Sequence, residues 1–285
     1  MSTTTSTIVC YDLEEGRAAF GRKAFRLEHA LVDHPLFGLD ALADLADQLP
    51  VDAVEHNLGS VGAVVPGGEV PKLDLSPGEI VRGIETNGCW VVLPFLHKTP
   101  PWDAVLAQIF DEIAPLVPGG RSAMEALHSA VFLAAPGSTT PSHVDAEFGF
   151  LLHIRGNKRL SIGRFPDGSE QEELDNYYGG GHRNTSELPV DVEHVDLEPS
   201  QAAHVPPHTP HWVTNGQAVT VALSVGFQTQ ESVARKRAHR FNGAVVRRMG
   251  LTPRPVGSVL TARDRAKASV VQAIAGLVRV GRRNR

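Results

Sequence analysis

Two stretches of the 285-residue chain place a histidine two residues before an aspartate: His143-Val144-Asp145 and His194-Val195-Asp196. On a strand, residues two apart share a face, so such a pair can reach one metal ion. A third ligand from a later strand would complete two imidazoles and one carboxylate on one side of the ion. That leaves open coordination positions and suits Fe(II) in oxygen-activating chemistry. The tripeptide alone is weak evidence: 13 histidines and 15 aspartates in 285 residues give about 0.7 by chance. The second copy serves as an internal control, since no strand pattern follows it directly and no lysine comes before Lys236.

The first copy carries more. Thr140 precedes His143 by three residues, an apolar strand-like run follows Asp145, and Lys158 comes after a tight turn at Arg155-Gly156-Asn157. A co-substrate with a far carboxylate, such as 2-oxoglutarate, needs a cation and a hydroxyl donor inside a narrow barrel. Lysine serves there as a point charge. Taken alone, Lys158 reads as a surface residue beside a turn; taken with the triad, it reads as a carboxylate anchor.

Elements able to position these residues follow from the apolar pattern. Leucines at near-helical spacing predict a helix over 36–49, ended by Pro50, and 102–116 repeats the pattern. Residues 59–78 are rich in Gly and Pro and read as loop, with Ser76-Pro77 capping a short helix. A buried strand is expected at 90–93. From 129 onward, short strands at 130–134, 148–154, 159–162 and 219–227 suggest a small antiparallel barrel. Between them, 166–199 is acidic and Gly-rich and reads as an inserted loop covering the substrate. Helices are expected again over 231–249 and 262–280. The division is an N-terminal helical and strand region (1–128), a core (129–230) and basic C-terminal helices (231–285).

The run HVDAEFGFLLHIRGNKR, from His143 to Arg159, and the later run VPPHTPHWVTN, from Val205 to Asn215 and leading into the strand VTVALSVGF, resemble the cupin-type, JmjC-like family of Fe(II)- and 2-oxoglutarate-dependent oxygenases. Within it the likeness is to the asparaginyl hydroxylase of hypoxia-inducible factor. The resemblance covers roughly 129–227. It implies a double-stranded β-helix (cupin, or jelly-roll) core that is mainly β with flanking helices. It implies metal ligands at His143, Asp145 and His211, and co-substrate contacts at Lys158 and Thr140. It further implies Fe(II), 2-oxoglutarate and O2 as reactants, and hydroxylation of a peptide or small-molecule substrate with release of succinate and CO2. C-terminal helices dimerise in the family, so a homodimer through the tail is expected. Two departures stand out: Gly226 replaces a polar residue found in many relatives, and the family's aromatic hydroxyl near the co-substrate has no match. Among His204, His208 and His211, the last is preferred as distal ligand because its context opens a strand, whereas prolines surround the others. Glu147 is a possible substrate contact, and His153 reads as a packed, hydrogen-bonded core histidine.

Composition bounds the rest. Apolar runs fall well short of the ~20 residues of a membrane helix, and the N-terminus carries no secretory pattern. Two cysteines cannot build a disulfide framework. The expectation is a cytoplasmic protein. Charge is uneven: 232–285 holds 14 Lys/Arg and one acid, against 13 Lys/Arg and 31 Asp/Glu elsewhere. Apart from Phe241 the tail lacks aromatics for stacking on bases, which argues against nucleic acid and leaves an acidic substrate segment, or docking on the chain's own body or on a twin. The competing reading is a non-catalytic metal-binding cupin module with a regulatory or nucleic-acid-binding role. Lys158 discriminates, because such a module has no need of a cation at the barrel floor. Tyr and Trp number three each, too few to suggest a methyl-lysine cage, which favours hydroxylation over demethylation.

Overall fold

The computed structural model describes residues 6–65 and 73–283, and the side chains up to residue 277. Part of the expected 59–78 loop, and the side chain of Val278 in the last expected helix, lie outside what the structure describes. In chain order the strands are β1 (Val9–Cys10), β2 (Phe25–His29), β3 (Glu55–Leu58), β4 (Cys89–Pro94), β5 (Glu125–Ala134), β6 (Thr139–His143), β7 (Phe148–Arg155), β8 (Lys158–Arg164), β9 (Val190–Leu197), β10 (Gln201–Val205), β11 (His211–Asn215) and β12 (Thr220–Gln228). The helices are α1 (Leu13–Ala19), α2 (Leu39–Gln48), α3 (Pro77–Arg82), α4 (Trp102–Ile113), α5 (Glu170–Tyr178), α6 (Gln230–Phe241) and α7 (Ala262–Arg283).

Two antiparallel sheets result. One has eight strands in the order β1-β2-β10-β7-β12-β5-β4-β3; the other has four, β6-β11-β8-β9. The expected double-stranded β-helix is thus met at the level of two facing antiparallel sheets flanked by helices. The N-terminal strands extend both edges of the larger sheet.

Alternation along the central strands explains how the space between the sheets arises. In β12, Val221, Leu223, Val225 and Phe227 point to a core built with α2, α3 and α4, as do Val131 and Leu133 of β5 and Val91 and Leu93 of β4. On the opposite face β12 carries small groups, Ala222, Ser224 and Gly226, beside the larger Trp90, Val92 and Phe132 of β4 and β5. The large side chains of β12 therefore bury against the helices, at roughly 1.5–3 kcal/mol each, and its small ones leave room between the sheets. Part of that interior is filled by Leu160, Ile162, Val195, Leu197, Ala203, Val205 and Val213. A cavity remains beside them. Gly156 makes the β7–β8 hairpin possible: its φ is +75°, and a Cβ there would overlap the Val219 carbonyl, which only glycine avoids.

The 166–199 stretch differs from the expected covering loop. It contains α5 and then β9, which pairs with β8 from Lys158↔Leu197 to Arg164↔Val190. The alternating run Val190-Asp191-Val192-Glu193-His194-Val195-Asp196-Leu197 makes a half-exposed edge strand, and its charged outer face gave it the composition of a loop. One of its acids faces inward. Asp175 is fully buried and accepts hydrogen bonds from His239 Nδ1 (2.8 Å), Asn242 Nδ2 (3.3 Å) and Arg247 Nε (3.3 Å), while Glu170 pairs with Arg235 at 3.1 Å. The basic tail thus docks on the chain's own acidic insert. Beyond α6 the backbone makes a π-helical turn over Asn242–Val246, where Gly243 passes so close to the Asp175 carbonyl that a Cβ would overlap it. Val270, Ile274 and Leu277 of α7 are exposed. No helix among the described residues is long and apolar enough to cross a membrane.

Candidate active site

His143 ends β6 and His211 opens β11, and the two are direct antiparallel partners. Their rings lie 4.3 Å apart, centroid to centroid. Asp145 sits two residues beyond the end of β6, and its Oδ2 is 3.7 Å from both His143 Nε2 and His211 Nε2. The three ligand atoms lie within 4.8 Å of one another. At 3.7 Å these contacts are too long for hydrogen bonds, so the three groups converge without bonding one another.

The histidine tautomers are set from behind. His143 Nδ1 lies 2.8 Å from the Pro141 carbonyl, and His211 Nδ1 lies 2.9 Å from that of Thr209. A carbonyl can only accept, so each Nδ1 carries the proton and each Nε2 presents a bare lone pair to the centre. Metal-ligating histidines are oriented in this way. Burial, and then the neighbouring His211, push the His143 ring down to about 3, so it is neutral at any ordinary pH. Burial alone would raise the Asp145 carboxyl. His143, Arg183 and His211 outweigh it and hold the group below the usual carboxylate range. Arg183 Nη1 binds the other carboxylate oxygen, Oδ1, at 3.3 Å, leaving Oδ2 free toward the imidazoles. Two lone pairs and one carboxylate oxygen, all aimed at one point, suit a divalent cation of the iron type.

Lys158 begins β8 opposite Asn215 of β11 and is only 6% exposed. It has no ion-pair or hydrogen-bond partner for its ammonium among the described residues. Burial pushes its pKa down to about 8, with no compensating anion. A buried, unpaired cation is costly. Lys158 opens onto a cavity of about 70 Å3 that it shares with Thr140, His143, Asp145 and His211, and which Trp90, Phe132, Leu151, Val213 and Ser224 also line. One water needs about 10–15 Å3 on this measure, so the space suits a slender small molecule and no folded segment. Thr140 lies opposite Val213, and its hydroxyl has no partner among the described residues. Asn215 also lines the cavity, but its amide is used internally: it donates to the Ser138 carbonyl (3.0 Å) and accepts from Thr220 Oγ1 (2.7 Å).

The other histidines lie elsewhere. His204 is on β10 but faces the helices, donating from Nδ1 to the Gly149 carbonyl (2.8 Å) and accepting from the Gly21 N–H (3.2 Å), among Phe20, Phe25 and Phe150. His208 is buried away from the cavity beside Tyr178 and His239. His153 packs in the core with Nε2 at 2.7 Å from the Gly156 carbonyl. The control pair stays separate on β9, where His194 meets Ser161 and Asp196 is clamped by Arg159. Glu147 accepts from Gln228 at 2.6 Å, and Gly226 leaves room for it, because a Cβ there would press on the Glu147 Cβ at 3.1 Å.

Arg183 and Trp90 went unnoticed in the sequence. Arg183 lies in the misread insert. Trp90 sat in a run recognised only as a buried strand, although its alternation with Val91 and Leu93 places it on the inner face.

No protein-family model matches the chain, and no curated protein matches it in sequence. Solved structures do match. The ribosomal oxygenase YcfD from Escherichia coli, in complex with cobalt and 2-oxoglutarate, superposes with a TM-score of 0.54 at 15% identity, over 95% of this chain and 68% of that one. The same protein with cobalt and succinic acid gives 0.53 at 14% identity, over the same shares. These matches bear on the broad oxygenase fold and not on the hypoxia-inducible-factor hydroxylase in particular. At this identity the likeness is one of architecture: the chain shares the fold of that protein.

Proposed function

We propose that the protein is an Fe(II)- and 2-oxoglutarate-dependent dioxygenase that hydroxylates a C–H bond of a peptide or protein side chain, or of an amino-acid-like product. The observation that carries this reading is the unpaired, buried Lys158 ammonium in the same narrow cavity as the converging His143, Asp145 and His211. A metal-binding module without a keto acid has no use for that cation. Its position therefore weighs for the enzyme.

His143, Asp145 and His211 would hold the iron, and Lys158 with Thr140 would hold the far carboxylate of 2-oxoglutarate. Bound iron supplies oxygen activation coupled to decarboxylation of the keto acid to succinate and CO2. The chain's own task is orientation and exclusion of water. The Pro141 and Thr209 carbonyls fix both imidazoles, and Arg183 fixes the carboxylate. The apolar walls at Phe132, Leu151 and Val213 keep the co-substrate's methylene chain dry.

Because the fold neighbours are ribosomal oxygenases, ribosomal proteins are the first substrates to try. The test is anaerobically loaded, full-length protein given 2-oxoglutarate and O2. Succinate release without substrate, and a one-oxygen mass gain on a peptide with it, are expected. No succinate under any condition would overturn the reading. The same reading carries a cytoplasmic location, the division at 128 and 230, and a homodimer through the tail helices, for which mass in solution is the check.

A further inference from the structure

The residues between β10 and β11, Pro206-Pro207-His208-Thr209-Pro210, carry the chain from the larger sheet to the smaller and end at the ligand His211. Proline fixes φ at 206, 207 and 210, and Pro210 disfavours a helical backbone at Thr209, so the turn falls to His208. Its φ is +62°, a left-handed conformation that strains a bulky side chain and that glycine adopts freely. The ring carries a second cost. It is 5% exposed, and neither of its nitrogens has a hydrogen-bond partner among the described residues. Glycine would avoid both costs. What only the side chain supplies here is packing.

That packing joins two distant elements. The ring meets Tyr178 of α5 edge-on at 5.5 Å between centroids, and His239 of α6 at 6.3 Å. While the insert and the tail hold the ring, the loop's backbone holds the ligands. His208 N–H donates to the Asp145 carbonyl (2.7 Å), and the Thr209 carbonyl accepts from His211 Nδ1 (2.9 Å). Two of the three ligands are thereby tied to one strained residue and its neighbour. Resting on the function proposed above, we infer that His208 is a positioning residue for the metal: its ring, wedged between α5 and α6, holds the turn that sets Asp145 and His211 toward one point. The wedge acts by shape, since no polar partner fixes it. His143 depends on it less, because its ring is held from its own strand by the Pro141 carbonyl.

The test is Mn(II) titration of the full chain and of His208→Gly and His208→Phe, at a temperature where each is folded. Glycine accepts the turn and removes the wedge, so Mn(II) should bind about tenfold more weakly, as when a ligand loses its supporting partner. Phenylalanine keeps a ring and removes both nitrogens, on a left-handed backbone that this chain already gives to Phe95. It should restore the affinity of the unaltered protein. Unchanged affinity in the glycine variant, whatever its Tm, makes His208 a packing residue only and overturns the inference, leaving the proposed function standing. A phenylalanine variant as weak as the glycine one also overturns it, because the nitrogens would then act through a bound water. Unaltered protein that binds no Mn(II) overturns the proposed function as well. Should neither variant fold, deuterium exchange on the unaltered, metal-free chain decides the question. The His208 amide should be as protected as the amides of β11, and free exchange there rejects the wedge.

Discussion

Lys158 gives the sharpest residue-level consequence. A charge-assisted bond to a carboxylate contributes about 1.5–3 kcal/mol. Lys158→Met should therefore weaken 2-oxoglutarate about 10- to 100-fold in calorimetric titration, and Mn(II) binding should not change. The pH dependence has a definite sign. Burial lowers this lysine to about 8, so it is cationic below that pH and neutral above it. Affinity for 2-oxoglutarate should be flat on the acid side. It should then fall about tenfold per pH unit above 8, where binding must restore the missing proton. Lys158→Arg, if it binds at all, should lose that fall. Arg183 has a different role, because it touches Asp145 and not the cavity. Arg183→Met should cost about tenfold or more in Mn(II) affinity, as loss of a ligand's supporting partner does. An unchanged Kd would contradict the positioning ascribed to it.

At the scale of elements, the insert between β8 and β10 is fastened to the strand that carries His143. Val144 N–H donates to the Arg183 carbonyl (3.2 Å), Thr185 N–H to that of Ser142 (2.9 Å), and Thr185 Oγ1 to Ser142 Oγ (2.7 Å). The Thr185 and Val144 amides should exchange slowly with deuterium in the metal-free protein, and rapid exchange would contradict this fastening. The buried Asp175 joins the same insert to α6. Its removal would leave His239, Asn242 and Arg247 facing nothing, so Asp175→Ala should destabilise by about 3–5 kcal/mol in denaturant titration. Legibility in the sequence divides along these elements. Strands buried on both faces, such as β12 with its run Val-Ala-Leu-Ser-Val-Gly-Phe, announce themselves by continuous apolarity. So do α2 and α4, through their helical spacing. β9 was missed because an edge strand wears charge on alternate residues, and Asp175 because nothing local distinguishes a buried carboxylate from a solvated one. The triad was legible through one strand pair, but Arg183 was not, since its partner lies 38 residues away and only the fold joins them.

For the molecule as a whole, the larger sheet works as a partition, with the helix-packed core on one face and the candidate site on the other. Adjacent residues of β12 separate the two. Leu223→Ala should cost about 2–5 kcal/mol of stability with 2-oxoglutarate affinity retained. Ser224→Phe, filling the cavity, should abolish that affinity at a smaller cost of about 1–3 kcal/mol. Part of the tail's charge is spent on the chain's own acids: Arg235 with Glu170, Arg247 with Asp175, Arg265 with Glu231. The most direct measurement of the central claim is an anaerobic titration of the full-length protein with 2-oxoglutarate, run with and without Fe(II), and repeated on His211→Ala and Lys158→Met. One molecule should bind per chain only when iron is present, with binding lost in the first variant and sharply weakened in the second. Binding that ignores the iron, or that survives both substitutions, would contradict the account.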